Sequence, residues 1–228
     1  MRLLLFIILV SQPVYALKVD HIADKATGFS AIAVFIPSGE NSGFSVIDVP
    51  EKLKKDNIIN YWKPPTTSVI FNGGYFEQDF SPSGYYRVNG KTVSSKPLKK
   101  LSGFVVIDKN GTISLLTAKD NYAKYPTVIQ AGPYVIDPGG RIGIRSRTGK
   151  KARRTLIGLS KNKTLIILTV TSKADLFDLT HIVKKQLPDI ERLLNLDGGP
   201  SVALLTEQEQ IVNHNPVRNY IVKDSKKR

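Results

Sequence analysis

Apolar residues in this chain gather in short runs, rich in β-branched and aromatic types and broken by Gly, Pro, Asn and Ser. That pattern predicts strands joined by turns. Positions 31–36 and 44–49 are two such runs, bounded by Pro37-Ser38-Gly39 and Pro50. Positions 104–108 and 112–117 flank Lys109-Asn110-Gly111. Asn-Gly between apolar runs is a strong hairpin signal because both residues tolerate positive φ. Positions 154–159 and 164–170 flank Lys161-Asn162-Lys163 and predict another hairpin, and Val88-Asn89-Gly90-Lys91 marks a further turn. Shorter apolar strands are expected at 69–71 and 193–196.

Helical spacing is sparse. Positions 51–62 carry a weak helical pattern that Pro64-Pro65 would stop. At 178–187, Leu179, Ile182, Val183 and Leu187 share one face, Asp178 can cap and Pro188 ends the run. No linker or composition shift divides the chain. The expected fold is α+β: a single domain with a large, mostly antiparallel or mixed β-sheet and few packed helices.

The first sixteen residues read differently. Arg2 precedes an apolar run at 3–10, and Val14-Tyr15-Ala16 offers a cleavage site, so 1–16 is expected to be a signal peptide and 17–228 the mature domain. The run is too short for a membrane helix, which needs about 20 residues. No second run approaches that length, so no membrane span is expected after cleavage, and the location is expected to be periplasmic or secreted. Positions 223–228 read as a frayed basic tail.

Composition narrows the chemistry. Of 228 residues, 41% are hydrophobic and 23% charged, which argues against disorder. Cysteine is absent, which excludes a disulfide scaffold, thiolate metal sites and a Cys nucleophile. His21, His181 and His214 show no HExxH or paired spacing, and neither a G-x-S-x-G elbow nor a Walker A loop occurs. The net charge of +14 suits anionic partners.

Four segments could carry chemistry. Asn195-Leu196-Asp197-Gly198-Gly199-Pro200-Ser201 sets a carboxylate, bare backbone and a hydroxyl at a strand end. Asn72-Gly73-Gly74-Tyr75-Phe76 is built the same way. Gln130-Ala131-Gly132-Pro133 again follows an apolar strand. Each also fits a plain tight turn. The fourth is the acid-free basic stretch 141–154. There Arg154 opens a strand and could grip a phosphate bidentately, while the other cations could gather a polyanion. His214 and Arg218, in the loop before the last apolar run, are further ligand candidates.

Taken in order, these segments resemble the phosphodiester glycosidase domain family, which includes the animal lysosomal uncovering enzyme and many exported bacterial proteins. The resembling pieces are Phe71 to Phe76, Ser83-Gly84 with Val88-Asn89-Gly90-Lys91, Gln130 to Pro133, Arg154-Thr155 before Ile157-Gly158, Asn195 to Ser201, and Asn215-Pro216-Val217-Arg218-Asn219. The resemblance implies hydrolysis of the sugar C1–O bond of a sugar-1-phosphodiester, with N-acetylglucosamine as one such sugar. It implies catalytic roles for Asp197, Arg154 and Asn72, and substrate binding by Gly73, Gly74, Gln130, Gly132, Gly198, Gly199, Ser201, His214 and Arg218. Arg154 with the Gly-Gly N–H groups would stabilise phosphate charge, and Asp197 would act as base or nucleophile. The implied partner is a phosphorylated glycan or sugar phosphate.

Two positions depart from the family pattern. Pro200 stands where a third glycine is usual, and Thr171-Ser172-Lys173 where an Asp-Gly-Arg-like stretch is common. No cofactor is expected, although Glu77 and Asp79 could offer oxygen ligands to a divalent cation. The alternative function is a non-catalytic envelope module that binds an anionic phosphorylated glycan. A P–O-cleaving phosphodiesterase would want a metal pair or a histidine that the sequence does not clearly supply. Specific nucleic-acid binding is not expected, because aromatic residues do not interleave with the basic stretch 141–154.

Overall fold

Side chains alternate between two buried faces along most strands, which is why the runs read as continuously apolar rather than alternating. The computed structural model describes residues 17–51 and 56–225; the leader-like 1–16 segment lies outside them. In chain order the first strands are β1 (Lys18–Asp24), β2 (Phe29–Ile36), β3 (Phe44–Asp48), β4 (Thr67–Asn72), β5 (Tyr86–Val88) and β6 (Lys91–Ser94). Next come β7 (Gly103–Ile107), β8 (Ile113–Thr117), β9 (Thr127–Ala131), β10 (Tyr134–Asp137), β11 (Arg141–Ile142) and β12 (Ala152–Ser160). The last are β13 (Leu165–Ala174), helix α1 (Leu176–Gln186), β14 (Ile190–Gly198), β15 (Leu204–Thr206), β16 (Gln210–Ile211) and β17 (Asn219–Asp224).

These strands form three sheets, ordered β1-β2-β13-β12-β14-β10-β11, β16-β15-β4-β17-β3 and β6-β5-β9-β7-β8. Strand residues are 46% and helical residues 10%, so this is a mostly-β single domain with few helices, as expected, but with three antiparallel sheets in place of one large sheet. The physical reason for the division is a shared core. Ile167 and Leu194 of the first sheet, Phe71 and Ile221 of the second, and Val105 and Ile129 of the third all enter one cluster. Residues one position out of phase face the other way. In β13, Leu165 and Ile167 enter the shared core, while Ile166 and Leu168 join Leu179, Ile182 and Val183 of α1.

The expected hairpins form, and Asn89 and Gly90 take φ of 49° and 83° as their turn requires. Three expectations shift. The cap of α1 is Asp175, whose side chain accepts from the Phe177 N–H, so the helix begins earlier than 178. Asp178 lies in its first turn and pairs with Arg147 at 2.7 Å. Within 51–62, the described residues form only a 3-10 turn at Ile58–Tyr61, capped by Asn57 and pinned by the Asn213 side chain on the Ile58 N–H. At the C-terminus, Lys223 is a buried member of β17 whose ammonium donates to the Ser42 carbonyl, so the strand replaces the first part of the expected tail. Residues 226–228 lie outside the described residues. Among the described residues no helix is long and apolar enough to cross a membrane.

Candidate active site

The Gly-Gly segments lie where strand ends from all three sheets converge. Backbone bonds make the junction: the Asp197 N–H donates to the Gly73 carbonyl at 3.1 Å, and the Gly132 N–H to the Asn195 carbonyl at 2.9 Å. Gly73 also donates to the Asn219 carbonyl at 3.0 Å. Bare backbone is needed for so close an approach. A Cβ on Gly73 would stand 1.9 Å from Asn219 Oδ1, the atom that accepts from the Gly74 N–H. A Cβ on Gly198 would meet the Arg153 carbonyl at 2.7 Å. Gly73→Ala is therefore expected to destabilise the fold by about 2–3 kcal/mol, as overpacking does, and a denaturant titration would show it.

Asp197 is the half-buried carboxylate of the junction. Burial pushes its pKa up to about 6, against the Ser201 hydroxyl, the Gly198 N–H and the charge of Arg154, which pull it down. The Gly198 N–H lies 2.8 Å from its Oδ1. Arg154 pairs with Gly198 across β12 and β14. Its Nε is buried without a hydrogen-bond partner in the protein. A buried guanidinium N–H left unsatisfied is costly, and an anionic ligand oxygen would satisfy it.

Asn72 is fully buried and its amide is engaged on both sides. Nδ2 donates to the Asp197 carbonyl at 2.9 Å, while Oδ1 accepts from the Thr155 hydroxyl at 2.5 Å and the Ala203 N–H at 3.0 Å. It thereby fixes the backbone that carries Asp197 and the residue next to Arg154. The N–H groups of Gly73, Gly74 and Gly198 all donate within the protein. These three are not available to a phosphate, contrary to what the Gly-Gly segments suggest. Ser201 is buried beside Asp197, at the end of the 3-10 turn Gly199–Ser201, which begins with Gly199 at φ 62°.

The other expected ligand contacts are more spread out. Gln130 accepts from the Tyr85 and Leu98 N–H groups and donates to the Leu98 and Leu101 carbonyls, a brace between loops. Gly132 offers its carbonyl to the Tyr75 hydroxyl at 2.9 Å. His214 is exposed, and its N–H donates to the Pro200 carbonyl beside the 3-10 turn. Arg218 is buried, ion-paired with Asp48 and stacked over Tyr86, and it lines a cleft of about 410 Å³ with Pro50, Asp79 and Phe80. Glu77 accepts from the Ser83 hydroxyl and Asp79 from the Ser81 N–H and hydroxyl, so both acids fold their own loop. Thr171 and Ser172 tie β13 to Ser30 of β2, the first at 2.8 Å between hydroxyls and the second by accepting the Ser30 N–H at 3.0 Å.

Sequence reasoning did not single out Tyr75, Asn195, Thr155 or Asn219 as site residues. Burial raises the Tyr75 pKa, and the Asp197 carboxylate raises it further, so the phenol stays protonated beside the site. The Asn195 amide donates to the Tyr75 hydroxyl. All four lie within the segments quoted above. For Thr155, Asn195 and Asn219 the available signal was a polar residue within an apolar strand, which a buried position tolerates only with partners; Tyr75, in the loop after β4, carried no such signal.

The phosphodiester glycosidase family model matches residues 65–225, and the chain belongs to that family. No curated protein matches it in sequence. Among solved structures, one similar to it is the catalytic domain of a zebrafish N-acetylglucosamine-1-phosphodiester α-N-acetylglucosaminidase, auto-inhibited by its pro-peptide. The TM-score is 0.68 at 17% identity, covering 96% of this chain and 85% of that one. A hypothetical protein from Synechocystis gives 0.69 at 12% identity over 91% of this chain and 61% of that one, so this chain spans less than two thirds of its length. A protein of Burkholderia pseudomallei described as exported gives 0.60 at 10% identity, covering 86% and 74%. These likenesses show the fold, and they extend it over β1 to β3, which precede the family match.

Proposed function

We propose that this protein is an exported glycosidase that hydrolyses the bond between a sugar C1 and a phosphodiester oxygen. The observation that carries this reading is the nearness of Asp197, whose burial lifts its pKa to about 6, to Arg154, whose buried Nε has no protein partner. Family membership supports the reaction class. The leader-like pattern of 1–16 supports export.

In the reaction the C1–O bond breaks and its electron pair stays on the phosphate oxygen. The released phosphate monoester is a weak base, so little general acid is needed at the leaving oxygen. Arg154 holds the charge that develops there. Ionised Asp197 either takes a proton from the water that attacks C1 or attacks C1 itself before water releases the sugar.

The test incubates the protein with N-acetylglucosamine-1-phosphodiesters and related sugar diesters and measures both products. Free reducing sugar with an equal amount of phosphomonoester is the expected result. Sugar 1-phosphate would mean P–O cleavage and overturn the mechanism. Binding without any turnover would instead favour the non-catalytic envelope module. Arg154→Gln is expected to lower kcat by about 10²–10³-fold, the range seen when one transition-state charge donor is lost.

A further inference from the structure

The basic stretch 141–153 is not absorbed by the site as described, yet it lies at its edge. Its two anchors fix where it runs. Gly143 donates to the Val135 carbonyl of β10, and Thr148 binds the Asp175 carboxylate at 3.0 and 3.1 Å through its N–H and hydroxyl. Between them the stretch crosses the end of the first sheet from which Asp197 and Arg154 project, since Tyr134 pairs with Leu194 and Arg154 with Gly198. It then enters β12, where Ala152 pairs with Ala174 and brings Lys151 and Arg153 beside Lys173. The Arg153 carbonyl lies against Gly198 itself.

No Asp or Glu occurs between Asp137 and Asp175. The two acids at the far border are engaged: Asp175 caps α1 and holds Thr148, and Asp178 pairs with Arg147. Among the described residues, Arg145, Lys150, Lys151, Arg153 and Lys173 have no acidic partner within ion-pair distance, and all but half-buried Arg153 are exposed. Cations crowded within about a Debye length of one another repel, so a dense anionic partner gains where a neutral one does not. One phosphate at Arg154 does not need them. A run of phosphates does. No aromatic residue occurs between Tyr134 and Phe177, so the stretch offers no platform for stacking bases.

We propose that residues 141–153 and Lys173 form a docking track for a glycan polymer with phosphate along its length, leading one diester into the Asp197–Arg154 site. This rests on the reading of that site as one for sugar phosphodiesters. The substrate class is then a sugar-phosphate polymer rather than an isolated diester.

The experiment uses the full chain and a variant combining Arg145→Gln, Lys150→Gln, Lys151→Gln and Arg153→Gln. The probes are a synthetic polymer of N-acetylglucosamine 1-phosphate, the methyl diester of N-acetylglucosamine 1-phosphate, and an oligothymidylate matched to the polymer in charge. At low salt the variant is expected to bind the polymer about tenfold or more weakly, and added salt should narrow that gap. The ratio of kcat/KM on polymer to kcat/KM on methyl diester should fall by a similar factor. Unchanged polymer affinity in the variant would overturn the track. So would oligothymidylate binding as tight as that of the polymer, which would mark a nucleic-acid surface. Loop-dependent polymer binding with no cleavage of either sugar substrate would uphold the track and sink the proposed chemistry, so the two failures are distinguishable.

Discussion

Asp197→Asn is expected to lower kcat on a sugar phosphodiester by about 10³-fold or more, as loss of a base or nucleophile does. The same substitution should make the protein more stable at neutral pH. An aspartate in the unfolded chain titrates near 3.9, whereas burial lifts Asp197 to about 6. Between those values the folded state holds a proton that the unfolded state has lost. Stability is therefore fully present below about pH 4, is lost as pH rises through about 6, and stays lost at pH 7. The forfeited amount is about 3 kcal/mol. Asn is neutral, and its side-chain oxygen can still accept from the Gly198 N–H.

Thermal unfolding of both proteins at pH 4 and pH 7 checks this. The variant should melt higher at pH 7 and level with the parent near pH 4. The activity of the parent carries the opposite sign. In the proposed mechanism the ionised carboxylate is the working form, so kcat should fall about tenfold per pH unit below about 6. An Asn variant that still turns over substrate would remove Asp197 from the chemistry.

Asn72→Ala is expected to have the largest effect on stability. It strands three buried groups together: the Thr155 hydroxyl, the Ala203 N–H and the Asp197 carbonyl. Each unmatched group costs about 1–3 kcal/mol, so a total of about 3–5 kcal/mol and a drop of about 10 °C in Tm are expected. On the proposed mechanism Asn72 acts through Asp197 and Thr155 as a positioning residue, so activity should fall even where the fold persists. Asn72→Asp separates the two effects. It keeps an acceptor for Thr155 and Ala203 but replaces the donor that faces the Asp197 carbonyl. At a temperature where the Asp variant is folded, a low kcat with KM little changed would mark positioning. Full activity would show that the brace is structural alone.

Hairpins were legible in the sequence because their signals are local. Asn89-Gly90 must turn with both φ positive, and Asn110-Gly111 separates two runs too short to be anything but strands. The helix was legible from the face shared by Leu179, Ile182 and Val183, but its start was not. Asp175 and Asp178 both suit a cap, and the choice was made by Thr148, which holds Asp175 from a distant loop. The weak pattern at 51–62 misled because Ile58 is buried by tertiary contact, pinned by Asn213, rather than by a helical face. The division into three sheets could not be read, since β4 and β14 carry similar apolar runs and belong to different sheets.

For the site, the sequence by itself determined the inventory: a carboxylate and glycines at one strand end, an amide and glycines at another, an arginine opening a third strand, and a basic stretch free of acids. These follow from residue type and spacing, which are local properties of the chain. Only the tertiary structure decided what each one does. Whether a Gly N–H is free for a ligand depends on which strand passes it, and Asn219 takes those of Gly73 and Gly74. Whether an amide contacts substrate or braces a backbone depends on what surrounds it: Gln130 makes four hydrogen bonds within the protein, and Asn72 is held through both its amide nitrogen and its oxygen. Burial shifts a carboxyl only once distant strands have closed over it. That is why the raised pKa of Asp197 belongs to the fold and not to the sequence around it.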